Sequence, residues 1–172
     1  MKIKNAMIDV ETLAVDWNAV VLTIGAVKFN PFTNDIDSKF HVKLDVDSQI
    51  EKGRVTDERT LAWWGQQEDS VKAKAFSPNG RIDVGEALDK LSEWAGDTHR
   101  VWCQGPSFDF PIVDSLYRQY DRQIPWKFWN QRDARTVTGL LAEDIKSKIN
   151  FNAHDAAEDC VAQAKCVQYV YN

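Results

Sequence analysis

The chain has 172 residues, of which 44% are hydrophobic, 11% aromatic and 27% charged. This is the composition of an ordinary globular protein, and it excludes collagen-like, low-complexity and wholly disordered chains. The net charge of −5 disfavours a passive nucleic-acid-binding protein, which usually carries a basic surface. The length is that of one domain, and we take residues 1–172 as that domain.

Apolar runs and cysteines together predict the compartment. No run approaches the about 20 apolar residues of a membrane span, and residues 1–11 lack the apolar stretch of a secretory signal. The chain has three cysteines, an odd number without a CxxC pair: Cys103, Cys160 and Cys166. This pattern disfavours a disulfide scaffold and a CxxC-type zinc site. We therefore expect no contact with membranes and a cytoplasmic location.

The first 44 residues predict three antiparallel strands. Residues 3–11 and 19–29 have the apolar character of buried strands. Residues 36–44 alternate apolar and polar side chains, with Ile36 and Phe40 on the buried face. A turn between the second and third strands completes a meander.

The remainder alternates helical and extended segments. Helical periodicity is clearest at residues 84–95, where Asp83 is the expected N-cap. We predict a short strand at 101–103, a loop at 70–82, an extended segment at 126–130 and a charged loop at 141–150. The other predicted helices are 57–67, 110–121, 134–141 and 155–170. This order favours an α/β fold, in which three antiparallel strands and then parallel ones form a mixed sheet with helices on both faces.

Asp9 and Glu11 are the first candidate functional pair. Residues i and i+2 of a strand share a face, so two carboxylates lie close together and repel each other. A divalent metal ion would relieve that repulsion. The alternative is an exposed acidic strand end.

Asp109 is the second candidate, between Phe108 and Phe110 near the start of a predicted helix. A helix N-cap is the simpler explanation for this aspartate on its own. The two phenylalanines are either core residues or contacts to a base or sugar.

His154 and Asp159 form the third candidate group. A helical wheel of the last helix places Asp159 at the edge of the apolar arc, where a carboxylate needs a partner. His154 precedes that helix and can lean over the same site. Taken alone, a histidine of this kind is more often structural.

These motifs, in this order and spacing, resemble those of the DEDDh exonucleases, the DnaQ-like branch of the ribonuclease H-like superfamily: Asp9-x-Glu11, Phe108-Asp109 and His154-x4-Asp159. Ile24-Gly25-Ala26-Val27 resembles the second-strand signature of the family. Two further segments are similar to a small phage and bacterial subgroup of DexA-like and mycobacterial exoribonuclease-like enzymes: Ala62-Trp63-Trp64-x-x-Gln67 and Arg132-Asp133-x-Arg135-Thr136. Gly105 departs from the family, which often has asparagine there.

The resemblance implies a ribonuclease H-like fold and a 3′-to-5′ exonuclease that uses two Mg²⁺ ions, with Mn²⁺ as a substitute. Asp9 would bridge both ions, Glu11 and Asp159 would hold the ion that activates water, and Asp109 would support the second ion. His154 would take the proton from the attacking water. This chemistry supplies a nucleophile and stabilises the leaving 3′ oxygen.

Substrate contacts are also implied by the resemblance, at Thr12 and Leu13 after the first glutamate. Trp64 and Phe108 are candidates for stacking on bases, and core packing is the equal alternative for Trp64. The segment from 100 to 150 has 8 basic and 6 acidic residues. The candidates there for phosphate contact are Arg132, Arg135, Lys146 and Lys148. The alternative is a solvated surface, which is the simpler explanation for the two lysines.

Single-stranded DNA or RNA 3′ ends are the expected substrates, and the products would be nucleoside 5′-monophosphates. Alternatives are a non-catalytic nucleic-acid-binding module on the same scaffold, a metal nuclease that cuts internally, and a structural protein. Trp126, Phe128 and Trp129 would form either a homodimer interface or part of the core.

Overall fold

The computed structural model describes residues 4–149, 151 and 153–172. Within these ranges six strands form one sheet: β1 (Asn5–Thr12), β2 (Val21–Phe29), β3 (Ile36–Leu44), β4 (Arg81–Ile82), β5 (Arg100–Cys103) and β6 (Gln131–Asp133). The helices are α1 (Asp47–Glu51), α2 (Glu58–Gly65), α3 (Asp69–Phe76), α4 (Val84–Ala95), α5 (Asp109–Gln119), α6 (Ala134–Thr138) and α7 (Ala156–Tyr171). In these same ranges no helix has the length and apolar character needed to span a membrane.

The strands are arranged in the order β4-β3-β2-β1-β5-β6. β1, β2 and β3 pair antiparallel, and β5 and β6 continue the sheet in parallel from the other side of β1. β4 adds a parallel edge next to β3. The predicted mixed sheet is confirmed.

Two cores lie on opposite faces of the sheet. Ile8 and Val10 point into the larger core, which α4 and α5 cover. Met7 points into the second core, which α6 and α7 cover. Because side chains alternate along a strand, Asp9 and Glu11 share the face of Met7 and therefore lie on the α7 side.

Helix ends follow the predicted capping chemistry. The Asp83 carboxylate accepts a hydrogen bond from the Glu86 backbone at 3.0 Å, and α4 has the predicted bounds. Asp57 caps α2 in the same way by accepting from Arg59. Local polar chemistry thus fixes where these helices begin.

The predicted loop over 70–82 is wrong, because Asp69–Phe76 forms α3 and Arg81–Ile82 forms β4. Only Val71 and Ala75 of this helix enter a buried cluster, so its apolar pattern is weak. Helices this short are stabilised by tertiary packing more than by propensity. That stabilisation is not visible in the sequence pattern.

Several other boundaries also differ from the predictions. Residues Phe128–Asn130 form a 3-10 turn in the segment predicted to be extended, and another turn spans Lys146–Lys148 in the charged loop. Ile36 packs against the α7-side core, unlike Phe40, and the β2–β3 register shifts between Lys28 and Phe29. The first residue of the predicted first strand and the last of the charged loop lie outside the described residues.

Candidate active site

Asp9 and Glu11 lie on the second half of β1 and face α7. The Asp9 carboxylate accepts a hydrogen bond from the Gln163 side chain of α7 at 2.8 Å. Glu11 is buried and lies opposite Thr23 of β2. The prediction that the two carboxylates share one face is therefore confirmed.

Gly25 allows α7 to approach the sheet closely. It lies opposite Asp9 on β2, and a Cβ at this position would stand 2.2 Å from the Ala156 carbonyl carbon. The Cys160 thiol contacts the Gly25 carbonyl oxygen at 3.3 Å. This close packing brings Asp159, in the first turns of α7, to the level of Asp9 and Glu11.

Asp109 is the first residue of α5 and is buried. Its carboxylate accepts a hydrogen bond at 3.3 Å from the Val10 backbone, which lies between Asp9 and Glu11. The residue before it, Phe108, makes no side-chain cap. The carboxylate thus ties the start of α5 to the acidic end of β1.

His154 and Asp159 lie together at the start of α7. The His154 backbone donates a hydrogen bond to Asp159 at 2.7 Å, and Lys146 donates to the other carboxylate oxygen at 3.1 Å. The helix is capped by Asp155, whose carboxylate also pairs with Lys74 of α3. α3, which the sequence pattern did not reveal, thus supports the residue next to His154.

All five predicted catalytic residues line one cavity of about 230 Å³. We call it the carboxylate cavity, and its wall contains Asp9, Glu11, Asp109, His154, Asp159, Gln104, Phe108, Arg135, Lys146 and Gln163. A larger cavity of about 670 Å³, beside Arg54, contains none of the five. The structure therefore brings together side chains from both ends and the middle of the chain.

Burial makes ionisation of these carboxyl groups costly. It raises the pKa of Glu11 to about 8, and repulsion from Asp159 adds to the effect. Burial also raises the pKa of Asp109 to about 7. The pKa of Asp9 is raised well above its ordinary value by burial and by the negative charge of Asp109. The cluster therefore favours bound protons or cations at neutral pH.

The donor set has the chemistry that Mg²⁺ and Mn²⁺ prefer, because it consists of carboxylate oxygens. Buried Gln163 adds a side-chain oxygen that has no hydrogen-bond partner among the described residues. Within the part of the chain that the structure describes, no three acidic, histidine or cysteine side chains stand close enough to hold one ion. The donors thus fit a divalent cation in chemistry, while Lys146 and Gln163 are the present partners of Asp159 and Asp9.

A second cavity of about 540 Å³ adjoins the first. We call it the aromatic cavity. It shares Glu11 and Phe108 with the carboxylate cavity, and its wall includes Thr12, Asp57, Trp63 and Trp64. Side by side, the two cavities offer a charged site next to an aromatic one.

The predicted substrate-contact residues divide between cavity wall and core. Thr12 and Phe108 line the aromatic cavity, and Arg135 lines the carboxylate cavity. Leu13 is found in neither wall, because it packs with Trp64 in a buried cluster. Trp64 reaches the wall but is only 2% exposed, which leaves little of its ring for stacking.

Two of the four predicted phosphate-contact residues reach the carboxylate cavity. Arg135 and Lys146 line it. Lys148 pairs with Glu143 instead, and Arg132 donates to backbone carbonyl groups near Trp129. Arg135 occupies the space beside Gly105, where a Cβ would lie 3.6 Å from the guanidinium group.

Gln163 and Trp63 are among the site residues that the sequence analysis did not propose. Gln163 follows Asp159 by one helical turn, so i+4 spacing on a helix facing the acidic strand could have identified it. Trp63 is 40% exposed in the aromatic cavity, whereas its neighbour Trp64 is buried. In the sequence the two adjacent tryptophans are equivalent, and only the orientation of α2 distinguishes them.

Exonucleases are among the solved structures that share this fold. Exonuclease I matches with a TM-score of 0.71 at 12% identity, over 98% of this chain and 40% of that chain. The nuclease domain of 3′hExo, a DEDDh family member bound to rAMP, matches with a TM-score of 0.61 at 12% identity, over 96% and 90% of the two chains. The chain thus spans about two fifths of exonuclease I. These matches confirm the predicted ribonuclease H-like fold.

Comparison of the sequence with known protein families identifies the family of this chain. The model of the 3′-5′ exoribonuclease Rv2179c-like domain matches residues 4–171, and the chain belongs to this family. An exodeoxyribonuclease of Enterobacteria phage T4 is 28% identical, over 95% of this chain and 87% of the phage protein. The predicted family and the predicted enzyme class are confirmed.

Proposed function

We propose that this chain, as one domain, removes nucleoside 5′-monophosphates from the 3′ end of single-stranded DNA or RNA. The observation that carries the proposal is the convergence of Asp9, Glu11, Asp109, Asp159 and His154 on one small cavity. Exonuclease I of E. coli, which shares the fold, has been solved with single-stranded DNA and with oligonucleotides. A relative named for DNA and a family named for RNA together support both substrates.

The four carboxylates are proposed to hold two divalent metal ions, Mg²⁺ or Mn²⁺. When bound, such ions lower the pKa of water and stabilise negative charge on the leaving oxygen. The negative charges of Asp109, Glu11 and Asp159 all raise the pKa of the Asp9 carboxyl group, and a bound cation would relieve this repulsion. Gln163 fixes the orientation of Asp9 from the second core.

His154 is proposed to be the general base. It lines the carboxylate cavity together with Glu11 and Asp159, and its backbone N–H donates a hydrogen bond to the Asp159 carboxylate. An imidazole is the side chain that most often serves as a general base, so it can accept the proton of the attacking water.

The aromatic cavity is proposed to bind the terminal nucleoside. Its aromatic wall suits any base, because every base has a face that can stack on a ring. Thr12 borders it next to Glu11, so a nucleoside here would place its phosphate toward the carboxylates. Arg135, in the wall of the carboxylate cavity, has the charge to contact a phosphate.

Degradation of matched DNA and RNA oligonucleotides labelled at the 5′ end tests the proposed function. Single- and double-stranded forms are compared with Mg²⁺ and with EDTA. We expect stepwise shortening from the 3′ end, mononucleotide products and no reaction with EDTA. Discrete internal fragments would instead identify an internally cutting nuclease, and binding without hydrolysis would identify a non-catalytic module.

A pair of adjacent acids on α7 provides a matched control. Asp159→Asn should abolish degradation, because it removes a charge from the cavity wall. Glu158→Gln should retain it, since Glu158 faces away from the site and pairs with Lys39. Equal activity of the two variants would contradict the assignment.

A homodimer in the cytoplasm is proposed for the assembly and location. Trp126 is buried beside Phe110 and Tyr117, so it belongs to the core. Phe128 and Trp129 are 78% and 61% exposed and form the candidate interface. Sedimentation equilibrium of the Phe128→Ala variant tests the homodimer, with dissociation as the expected result.

The proposed cytoplasmic location is supported by the cysteines. All three cysteines are free, as suits a reducing compartment.

A further inference from the structure

The backbone of His154 is fixed, whereas its ring has no hydrogen-bonded anchor. Its φ of 65° lies in the left-handed region, and its N–H is bound to Asp159 at 2.7 Å. Among the residues that the structure describes, no group forms a hydrogen bond with the imidazole. Rotation about the side-chain bonds would therefore swing the ring, and something else must select its orientation.

Two indoles are in contact with this imidazole. The Trp63 ring centroid lies 4.8 Å from that of His154, with the planes at 87°. Trp64 lies farther away, at 6.3 Å and 73°. Edge-to-face contact at such distances is a favoured geometry for aromatic pairs. The nearer indole, Trp63, is thus the main constraint on the ring.

Helix α2 gives these two tryptophans different surroundings. Consecutive helical residues point about 100° apart, so only one of them can face the core. Trp64 does so, and its indole N–H donates to the Thr12 carbonyl at 2.9 Å. Trp63 leans on this anchored ring, with centroids 5.1 Å apart and planes at 73°. One part of the Trp63 ring is therefore packed against Trp64, while the rest of the ring lines the aromatic cavity.

We propose that Trp63 is a positioning residue that sets the orientation of the His154 imidazole toward the carboxylate cavity. The same indole forms a wall of the aromatic cavity, so binding of a terminal nucleoside and alignment of the histidine depend on one side chain. This inference rests on the proposed function in taking His154 as the group that receives the proton. Its structural part, the ring contact, can be tested without any substrate.

The contact is tested first by NMR of the histidine rings. The chain has three histidines, and the signals absent from His154→Gln identify those of His154. In Trp63→Ala most of the ring-current shift of the His154 ring protons should be lost, with only the weaker contribution of Trp64 left, and in Trp63→Phe most of the shift should remain. Trp129→Ala, which removes another exposed indole, should leave these signals unchanged. Unchanged His154 signals in Trp63→Ala would overturn the proposal, whether or not the protein is a nuclease.

A double-mutant cycle then tests the positioning role. Trp63→Ala should lower kcat by about 10²-fold, the order expected when a reacting group is misplaced by about 1 Å. Trp63→Phe should restore most of kcat. In the His154→Gln background, Trp63→Ala should cost no further kcat, while the increase in KM from the altered cavity wall should persist.

Metal binding and folding are measured as controls for the double-mutant cycle. Mn²⁺ titration and thermal unfolding should be nearly the same for Trp63→Ala and the wild type, since Trp63 is partly exposed and binds no ion. An equal loss of kcat in both backgrounds would show that Trp63 acts independently of His154 and would overturn the positioning role. Absence of nuclease activity in the wild type would overturn the proposed function and leave the NMR result to decide the ring contact.

Discussion

The carboxylate cavity and the aromatic cavity share Glu11 and Phe108 but are built in different ways. The first gathers acids from β1, α5 and α7, whose burial raises the pKa of several of them. The second takes its rings from a single short helix, α2, and from Phe108. The carboxylate cavity thus depends on the packing of distant helices against the sheet, whereas the aromatic cavity takes its two tryptophans from neighbouring positions in the sequence. Variants in the two cavities should therefore separate kcat from KM.

The largest effect is expected for Asp9→Ala, which should abolish turnover. Loss of a ligand that serves both proposed ions removes several kcal/mol of transition-state stabilisation, which corresponds to about 10³-fold or more. Initial rates on a 5′-labelled oligonucleotide measure this. Asp37→Ala, at an exposed position of β3, is the control and should be fully active. Activity retained in Asp9→Ala would contradict the site.

His154→Gln should lower kcat by about 10²–10⁴-fold, the usual contribution of a general base. Mn²⁺ affinity, measured by calorimetry, should be preserved because the backbone bond to Asp159 does not require the imidazole. His99→Gln changes a histidine at the start of β5 and should have no effect on rate. A large loss of Mn²⁺ affinity in His154→Gln would make the histidine a ligand instead.

Gln163→Leu should weaken Mn²⁺ binding by about 10–100-fold, as is typical when a group that orients a metal ligand is removed. The reason is the loss of its 2.8 Å hydrogen bond to Asp9. Gln168→Leu, on the same helix but bound to backbone carbonyls near Asn30 and Asp35, should keep the wild-type affinity. Identical affinities for the two variants would remove Gln163 from the site.

Phe108→Ala should raise KM about tenfold and change kcat less, because base stacking contributes about 1–3 kcal/mol. Phe108 lines both the carboxylate cavity and the aromatic cavity, so this variant tests which of the two functions depends on it. Phe32→Ala removes a ring that is 61% exposed in the turn between β2 and β3 and should leave KM unchanged. If kcat fell and KM did not change, Phe108 would belong to the chemistry and not to substrate binding.

The smallest effect expected is on stability. Folding raises the pKa of Glu11 to about 8 and of Asp109 to about 7, so between pH 4 and these values the native state binds more protons than the unfolded chain. Stability of the metal-free protein should therefore fall as pH rises from about 5 to 8, with Tm lower by on the order of 5 °C. Added Mg²⁺ should restore it.

The matched variant for this pH effect is Glu11→Gln combined with Asp109→Asn. With the two charges removed, the fall in Tm between pH 5 and 8 should be much smaller than in the wild type. Differential scanning calorimetry in EDTA measures both proteins. An equal fall in Tm in the variant would show that Glu11 and Asp109 do not cause the pH dependence of stability.

The sequence by itself determined the elements whose evidence is local. Period-two alternation placed Asp9 and Glu11 on one face of β1, and helical periodicity with an Asp83 cap gave the bounds of α4. The order and spacing of the motifs predicted Asp109, His154 and Asp159 as site residues, through their resemblance to the DEDDh exonucleases.

Only the tertiary structure decided the features that depend on distant parts of the chain. α3 is stabilised by packing that its own composition does not display, and Leu13 is buried because α2 lies over it. The choice between Trp63 and Trp64 depends on how α2 is rotated against β1. Gln163 reaches Asp9 because glycine at position 25 lets α7 lie directly on the sheet. Such contacts arise between residues far apart in sequence, so no local pattern encodes them.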